Sequence, residues 1–554
     1  MTETMTNADN FWLHMDHPTN LMIITGIMEF KERLDYDEAC LTLENRLCAF
    51  DRFKQRVVMP LSGYGIASWE FDPYFDIRSH FRRVALPGAG GKQELQRMVS
   101  DLMTIPLDKS KPLWTCHLIE NYKKGSALFF RLHHCIADGI ALVYVILSTT
   151  DKKPGIPLFE DKSAKKKKKW TPPSFIPLDQ LLANVSGVID KTRIIGGKLI
   201  EEWSKVVSEP SYMKKLIKST SRLSVDMAVV LAKLTMMPFD PKTCLKGPLG
   251  VRKCVAWSNL ISLEKVKTIG KAVDATVNDV LIASVTGALR RYLIMRGDRV
   301  QKIELRAAIP VNIREPGTEF ELGNKFSLVF LALPVYIEDP IFRLREVKKC
   351  MDHLKQSPDA VVAFMVLSAL GISSAAIAKT ASNFFGNKAT TVMTNVPGPQ
   401  TPLYFSGKKV ENFIGWVPRA GRVGMGISIF SYAGKIGIGF VTDAGLVPDP
   451  DTILKNFEDE LNHLYNLAKT SEISIKPIVY DGRDRDPAGF LEAEKRKTPP
   501  KKKKASVKAL PVEDPGRCFA LTQTGQPCKN KTATASEYCK MHQSEPIESV
   551  SGRR

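Results

Sequence analysis

Seven consecutive residues, His133-His134-Cys135-Ile136-Ala137-Asp138-Gly139, hold most of the chemistry legible in this chain. Two adjacent imidazoles supply a base that is neutral near pH 7. An aspartate four residues after the second histidine, followed by glycine, marks a tight turn from a strand into a helix rather than packed core. This HHxxxDG pattern suits acyl transfer from a thioester. Neighbouring side chains on a strand face opposite ways. Ala127, Phe129, Arg131 and His133 therefore share one face, and Leu128, Phe130, Leu132 and His134 the other. The two histidines cannot do the same work while the strand stays regular: one faces a cavity and the other supports it. If the strand ends at His134, that residue stands at a strand C-terminus, where α/β proteins place reactive groups. Satisfied core histidines, or half of a metal site, are the plainer alternatives. Adjacent histidines diverge on a strand, however, and no Cys or acid cluster elsewhere has metal spacing with them. On a regular strand Cys135 points away from His134, which argues against a covalent thioester.

A second set of chemically able residues closes the chain. Cys518, Cys528, Cys539 and His542 follow a C-x9-C-x10-C-x2-H spacing. Three thiolates and an imidazole suit a tetrahedral structural zinc, and metal binding can fold so short a segment. A tail with free thiols is the alternative.

The elements that must position the HHxxxDG set are readable nearby. Ser126 to His134 reads as a strand between Lys124-Gly125 and Asp138-Gly139. Gly139 to Ser148 is an apolar helix that the preceding aspartate can cap. Leu21 to Ile24 is a short strand, and Tyr36 to Phe50 has helical spacing. The first body is assigned to residues 1–155. Pro154, Pro157, a lysine run and Pro172-Pro173 then open a linker and basic amphipathic helical bridge over 156–245. Residues 246–475 form a second α/β body, with strands at Val255 to Leu260, Leu305 to Ile309, Ser327 to Val335, Gly426 to Phe430 and Lys435 to Thr442, and a long helix at Thr276 to Leu293. A basic linker over 476–510 precedes the Cys/His module at 511–545. The uncharged stretch Ala360 to Ala378 reads first as a buried helix, then as an insertion into one leaflet, and last as a membrane span.

With 554 residues the chain has ample length for large cores. Its net charge of +20 is concentrated. Lys162 with Lys165–Lys169 form one run; Lys495, Arg496, Lys497, Lys501–Lys504 and Lys508 form another. Such runs are solubilising linkers or contacts for an anionic lipid surface; nucleic acid is not expected as a partner. Seven of the ten cysteines lie singly through the body, which favours a reducing, cytosolic compartment. No secretory signal is visible at the N-terminus.

The blocks around the histidines resemble the bacterial-type wax ester synthase/diacylglycerol acyltransferase family of coenzyme A-dependent acyltransferases. Asp9 with Phe11-Trp12-Leu13-His14-Met15 is similar to its opening segment. Pro106-Leu107-Asp108 and Pro112-Leu113-Trp114 resemble its PLD and PLW elements, and Asn278-Asp279 its ND helix. Pro310-Val311-Asn312-Ile313-Arg314, Gly323-Asn324 and Asn395-Val396-Pro397-Gly398-Pro399 follow in order, with Thr394 where serine is usual. The resemblance implies an α/β (α+β) fold of two chloramphenicol-acetyltransferase-like sandwich domains with the active site in a channel between them. It implies His134 as general base toward an acceptor hydroxyl, His133 as support, Asp138 as a structural residue of the site and Gly139 as the residue that permits the turn and close helix packing. Asn278 is the candidate oxyanion donor, its plainer reading being a helix N-cap. Pro112, Leu113, Trp114, Asn395, Pro397 and Gly398 are expected to line the substrate channel. Acyl-CoA is the implied donor and diacylglycerol or a fatty alcohol the acceptor, at a membrane or lipid-droplet surface, with no catalytic cofactor. A small soluble alcohol, amine or thiol as acceptor is the second reading, and a non-catalytic tethered binding protein the third, which the intact HHxxxDG opposes.

Overall fold

The computed structural model describes residues 2–60, 65–157, 236–312, 322–355, 363 and 375–470. The chain divides into Met1–Ile475 and Lys476–Arg554, and every described residue belongs to the first unit. Both lysine runs, the bridge from 158 to 235, Ile313 and Arg314, most of Ala360–Ala378, and Cys518, Cys528, Cys539 and His542 lie outside the described residues.

The first sheet is built on Gly125–His133, all nine residues of which are buried. Both of its faces are covered, which suits the apolar residues Ala127 to Phe130 and Leu132 that it carries on both. It pairs antiparallel with Ile23–Phe30 on one side and Trp114–Tyr122 on the other. Trp114–Tyr122 in turn pairs parallel with Phe81–Ala85. Ile23–Phe30 runs longer than the apolar tetrad at 21–24, because Gly26 and Thr25 are buried in the same strand. The expected strand parity holds. Leu128, Phe130 and Leu132 pack with Ala39, Leu43, Leu142 and Val145 of helices Tyr36–Arg46 and Gly139–Ser148. Ala127 and Phe129, with Ile27, instead meet Val255, Trp257, Trp416 and Val441 from later in the chain.

The second sheet has seven strands. Lys253–Trp257, Lys435–Asp443, Met425–Tyr432, Thr391–Pro397, Leu305–Asn312 and Phe326–Leu333 lie in that spatial order, and Ile261–Ser262 adds to Lys435–Asp443. Helices Leu263–Val273, Val277–Met295, Pro340–Lys355 and Pro450–Lys469 supply its second layer through one continuous apolar core.

The sheets do not respect a division into residues 1–155 and 246–475. Asn412–Trp416 returns to the first sheet and pairs antiparallel with Thr25–Glu29. Tyr404 pairs with Asp151 in a small four-stranded sheet. The end of the expected bridge also belongs to the second body: Leu245 is in its core, and the Asp240 carboxylate accepts from Arg306 and Thr390. Among the described residues no single helix is long and apolar enough to cross a membrane.

Candidate active site

The central strand stops at His133, one residue earlier than expected. The His133 N–H donates to the Leu113 carbonyl at 2.9 Å, and the His134 N–H to the Met22 carbonyl at 2.7 Å. His134 thus sits just beyond the strand, held by its backbone. Asp138 then caps the next helix: its Oδ1 accepts from the Ala141 N–H at 3.0 Å. Its Oδ2 accepts from the Lys325 N–H, also at 3.0 Å.

That second bond belongs to a clamp. Residues 322–325, which lead into Phe326–Leu333, lie along the HHxxxDG turn. Ala137 and Gly323 form a parallel bridge, with Gly323 at φ +101°, where a glycine is favoured. Asn324 donates from Nδ2 to the His134 carbonyl at 2.8 Å and to Asp9 Oδ1 at 2.8 Å, and from its backbone N–H to the same Asp9 oxygen at 3.0 Å. Asp9 sits in the first helix, Asn7–His14, which Thr6 caps. The same helix places Trp12 against the base: the Trp12 and His134 rings stack with centroids 4.5 Å apart and planes 23° apart. Phe326 completes the cluster, 5.4 Å from the His134 ring and 5.5 Å from that of Trp12.

The two histidines have separate surroundings. His133 Nδ1 accepts from the Cys135 N–H at 3.2 Å, and its Nε2 lies 4.0 Å from Asp16. Burial pushes the pKa of each imidazole down to about 4. The charge of Asp16 opposes that shift at His133, and the charge of Asp138 opposes it at His134. Both rings are therefore neutral at pH 7. His134 Nδ1 is buried and has no hydrogen-bond partner among the described residues. Such a group has lone-pair or proton capacity in reserve, and leaving it unmade is costly in a protein that does not use it. Cys135 is fully buried, and burial holds its thiol well above the ordinary range, so it is no thiolate nucleophile. A neutral imidazole at a strand end, walled by aromatic rings, can take a proton from a hydroxyl without competition from bulk water.

Two family models divide the chain between them. The wax ester synthase/diacylglycerol acyltransferase catalytic domain matches residues 5–281, and the WS/DGAT C-terminal domain matches residues 322–465. The chain belongs to the wax ester synthase/diacylglycerol acyltransferase family. A probable diacylglycerol O-acyltransferase of Mycobacterium tuberculosis is 26% identical over 449 residues, covering 79% of this chain and 90% of its own length. A putative diacylglycerol O-acyltransferase of Mycobacterium bovis is 27% identical over 474 residues, covering 83% and 98%. The wax ester synthase/diacylglycerol acyltransferase from Marinobacter aquaeolei VT8 has the same fold, with a TM-score of 0.60 at 22% identity, over 84% of this chain and all of that one. The first condensation domain of the calcium-dependent antibiotic synthetase aligns with a TM-score of 0.52 at 15% identity over 84% of this chain and 96% of that one, which extends the likeness of fold alone. The chain is an acyltransferase.

Within this acyltransferase several expected site residues take other work. Pro112 and Leu113 are buried, and Trp114 is wholly enclosed: its ring stacks on His80 at 4.8 Å, and its Nε1 donates to the Phe53 carbonyl. This element offers no surface to a substrate. It fixes His133 from behind, through the Leu113 carbonyl. Asn278 is not the helix cap, because Thr276 holds that place in a capping box with Asp279. Its Oδ1 accepts from Asn395 Nδ2, which ties the start of the long helix to the end of Thr391–Pro397. Pro397 ends that strand, and Gly398 follows where a Cβ would come 2.2 Å from the Ser431 carbonyl and 2.5 Å from the Phe430 ring. Glycine is required there for packing. Gly139 is the reverse case. Its backbone is not in the left-handed region, and an added Cβ would meet nothing closer than 3.9 Å. Neither the turn nor close packing demands it, so the expected reason for that glycine does not hold.

Asp9, Trp12, Asn324 and Phe326 were not among the expected site residues, although Asp9, Trp12 and Asn324 fall in blocks that carry the family resemblance. Membership of those blocks was the signal available for Asp9, Trp12 and Asn324, and Phe326 lies outside them. Among the described residues no group of three or more Cys, His, Asp or Glu is arranged to hold a metal.

Proposed function

We propose that this acyltransferase moves a long-chain acyl group from acyl-CoA to the hydroxyl of diacylglycerol or a fatty alcohol, with His134 as general base. The observation that carries the proposal is the buried, neutral His134 ring, clamped by its backbone and left with an unpartnered Nδ1. As the acceptor oxygen attacks the thioester carbon, His134 takes its proton. Asp138 supports the imidazolium that forms, and the proton then passes to the departing CoA thiolate. His133 supports the turn through the Cys135 N–H. Asn278, whose carbonyl is occupied by Asn395, keeps its amide N–H pair for the developing oxyanion. The expected result is that His134→Ala lowers release of CoA from palmitoyl-CoA with dioleoylglycerol or hexadecanol by about 10²–10⁴-fold while the melting curve persists. Undiminished turnover in that variant would overturn the assignment.

The acceptor binds from a cytoplasmic membrane or lipid-droplet surface, to which the lysine runs at 162–169 and 495–508 attract the chain. Flotation with anionic but not neutral vesicles, lost when both runs are changed to glutamine, is the expected outcome; equal flotation would oppose it. Cys518, Cys528, Cys539 and His542 hold a structural zinc, a reading supported by donor chemistry alone. About one zinc per purified full-length chain is expected, and none after their change to serine and alanine.

A further inference from the structure

A cleft of about 410 Å³, including its open mouth, lies on the face of the first sheet that carries His133 rather than on the helix side. Its lining is mixed, with Leu21, Ile23 and Val441 set beside Thr25 and Thr104. Ile23 is the direct register partner of His133, so the cleft adjoins the HHxxxDG strand end. Three of the groups at or beside it are buried cations. Arg419 and Lys253 line it. Arg131 is the register partner of the lining residue Thr25 and is also buried.

These cations are not equally satisfied. Lys253 Nζ donates to Asp443 Oδ2 at 2.6 Å. The remaining capacity of that carboxylate goes to the N–H groups of Gly250 and Gly445, each at 3.0 Å. Arg131 donates to the Ile105 carbonyl, which carries no charge. Arg419 lays its methylene stem over Gly426, its Nε is buried, and its guanidinium has no hydrogen bond among the described residues. Four buried ionic groups thus include three cations and a single carboxylate. Burial depresses Arg419 to about 10, which leaves it charged at pH 7. Keeping the Arg419 Nε out of water without a hydrogen bond is expensive, and the Asp443 charge that favours its cation is already bonded to Lys253.

We propose that this cleft is an anion-binding subsite in which Arg419 holds the carboxylate or phosphate of a molecule whose apolar part lies along Ile23 and Val441. The guanidinium fork matches either oxyanion in a bidentate geometry, and the apolar part of the lining favours an amphiphile over a free inorganic ion. Two sources share this chemistry: the carboxylate of a free fatty acid and a phosphate of coenzyme A. The subsite goes beyond the acyl-transfer reading and is tested by binding alone, so that reading and this one fail separately.

The experiment is equilibrium binding to the full chain by calorimetry, with four probes: dodecanoate, dodecanol, free CoA and inorganic phosphate. Wild type is expected to bind dodecanoate or CoA at least tenfold more tightly than Arg419→Met does, while dodecanol affinity stays within twofold. Loss confined to dodecanoate assigns the fatty acid, and loss confined to CoA assigns the nucleotide; loss for both supports an oxyanion subsite shared by the two. Arg419→Met removes a lone buried charge at similar volume, and its melting temperature is expected to equal or exceed that of wild type. Arg419→Lys keeps the charge without the fork and is expected to retain intermediate affinity. Equal anion affinities in wild type, Arg419→Met and Arg419→Lys, or binding of inorganic phosphate alone, would overturn the proposal.

Discussion

At the scale of single residues, the site separates roles that the motif alone leaves merged. His133 is tied to the turn through Cys135 and to the strand behind it through Leu113, while His134 is held by backbone bonds and flanked by rings. Asp138 has two roles that substitution can divide. Its Oδ1 caps helix Gly139–Ser148, and its charge opposes the fall in His134 basicity that burial causes. Asparagine caps helices about as well as aspartate, whereas alanine loses about 1 kcal/mol. Asp138→Asn keeps the cap but loses the Oδ2 acceptor of the Lys325 N–H, so it is expected to lose about 1 kcal/mol of stability and to lose kcat/KM by about tenfold, the equivalent of one pKa unit of support to the imidazolium. Asp138→Ala is expected to lose the cap as well. Wild-type kcat/KM in the asparagine variant would show that the carboxylate serves the turn alone.

At the scale of elements, three pieces far apart in sequence meet at one hydrogen-bonded point: helix Asn7–His14, the turn after Gly125–His133, and the segment entering Phe326–Leu333. Asn324 satisfies Asp9, whose carboxyl burial pushes upward, and the His134 carbonyl together. Removing it leaves buried acceptors short of donors, at about 1–3 kcal/mol each. Asn324→Ala and Asp9→Ala are each expected to destabilise, and their double variant to cost less than the sum by about 1–3 kcal/mol. Strict additivity in urea unfolding would contradict the clamp. The strand and helix around the histidines were legible because their signals are local: Lys124-Gly125 before, Asp138-Gly139 after, and a largely apolar stretch between. The clamp was not, because Asp9 and Asn324 become a pair only through a contact 315 residues apart. Trp114 misled for a related reason, since a tryptophan beside an active strand looks the same in sequence whether its ring faces substrate or His80.

At the scale of the whole molecule, order along the chain suggested two bodies in series, and the first described unit instead interlocks them. Strand Asn412–Trp416 returns to the first sheet, and its pairing with Thr25–Glu29 has no local signature that a sequence pattern could carry. The interlock leaves many imidazoles out of water. Burial lowers His80, His117, His133 and His134, with His117, His133 and His134 each falling to about 4. The sign follows from linkage. Between an ordinary histidine pKa near 6.5 and about 4, the unfolded chain binds protons that the folded chain refuses. The stabilisation is fully present above about pH 6.5 and is lost as pH falls through that window, by about 2 kcal/mol per such histidine at pH 5. Asp9 and Asp240, raised by burial, act in the opposite sense. His117 isolates the histidine contribution, because it lies away from the HHxxxDG turn, near Phe129 and within the field of Arg131. Wild type is expected to lose stability from pH 7 to pH 5 in urea unfolding. His117→Leu is expected to lose about 2 kcal/mol less over the same interval, whatever its stability at pH 7. Parallel pH dependences in the two proteins would show that His117 takes up its proton in the folded state, and so that the interior around Phe129 admits water.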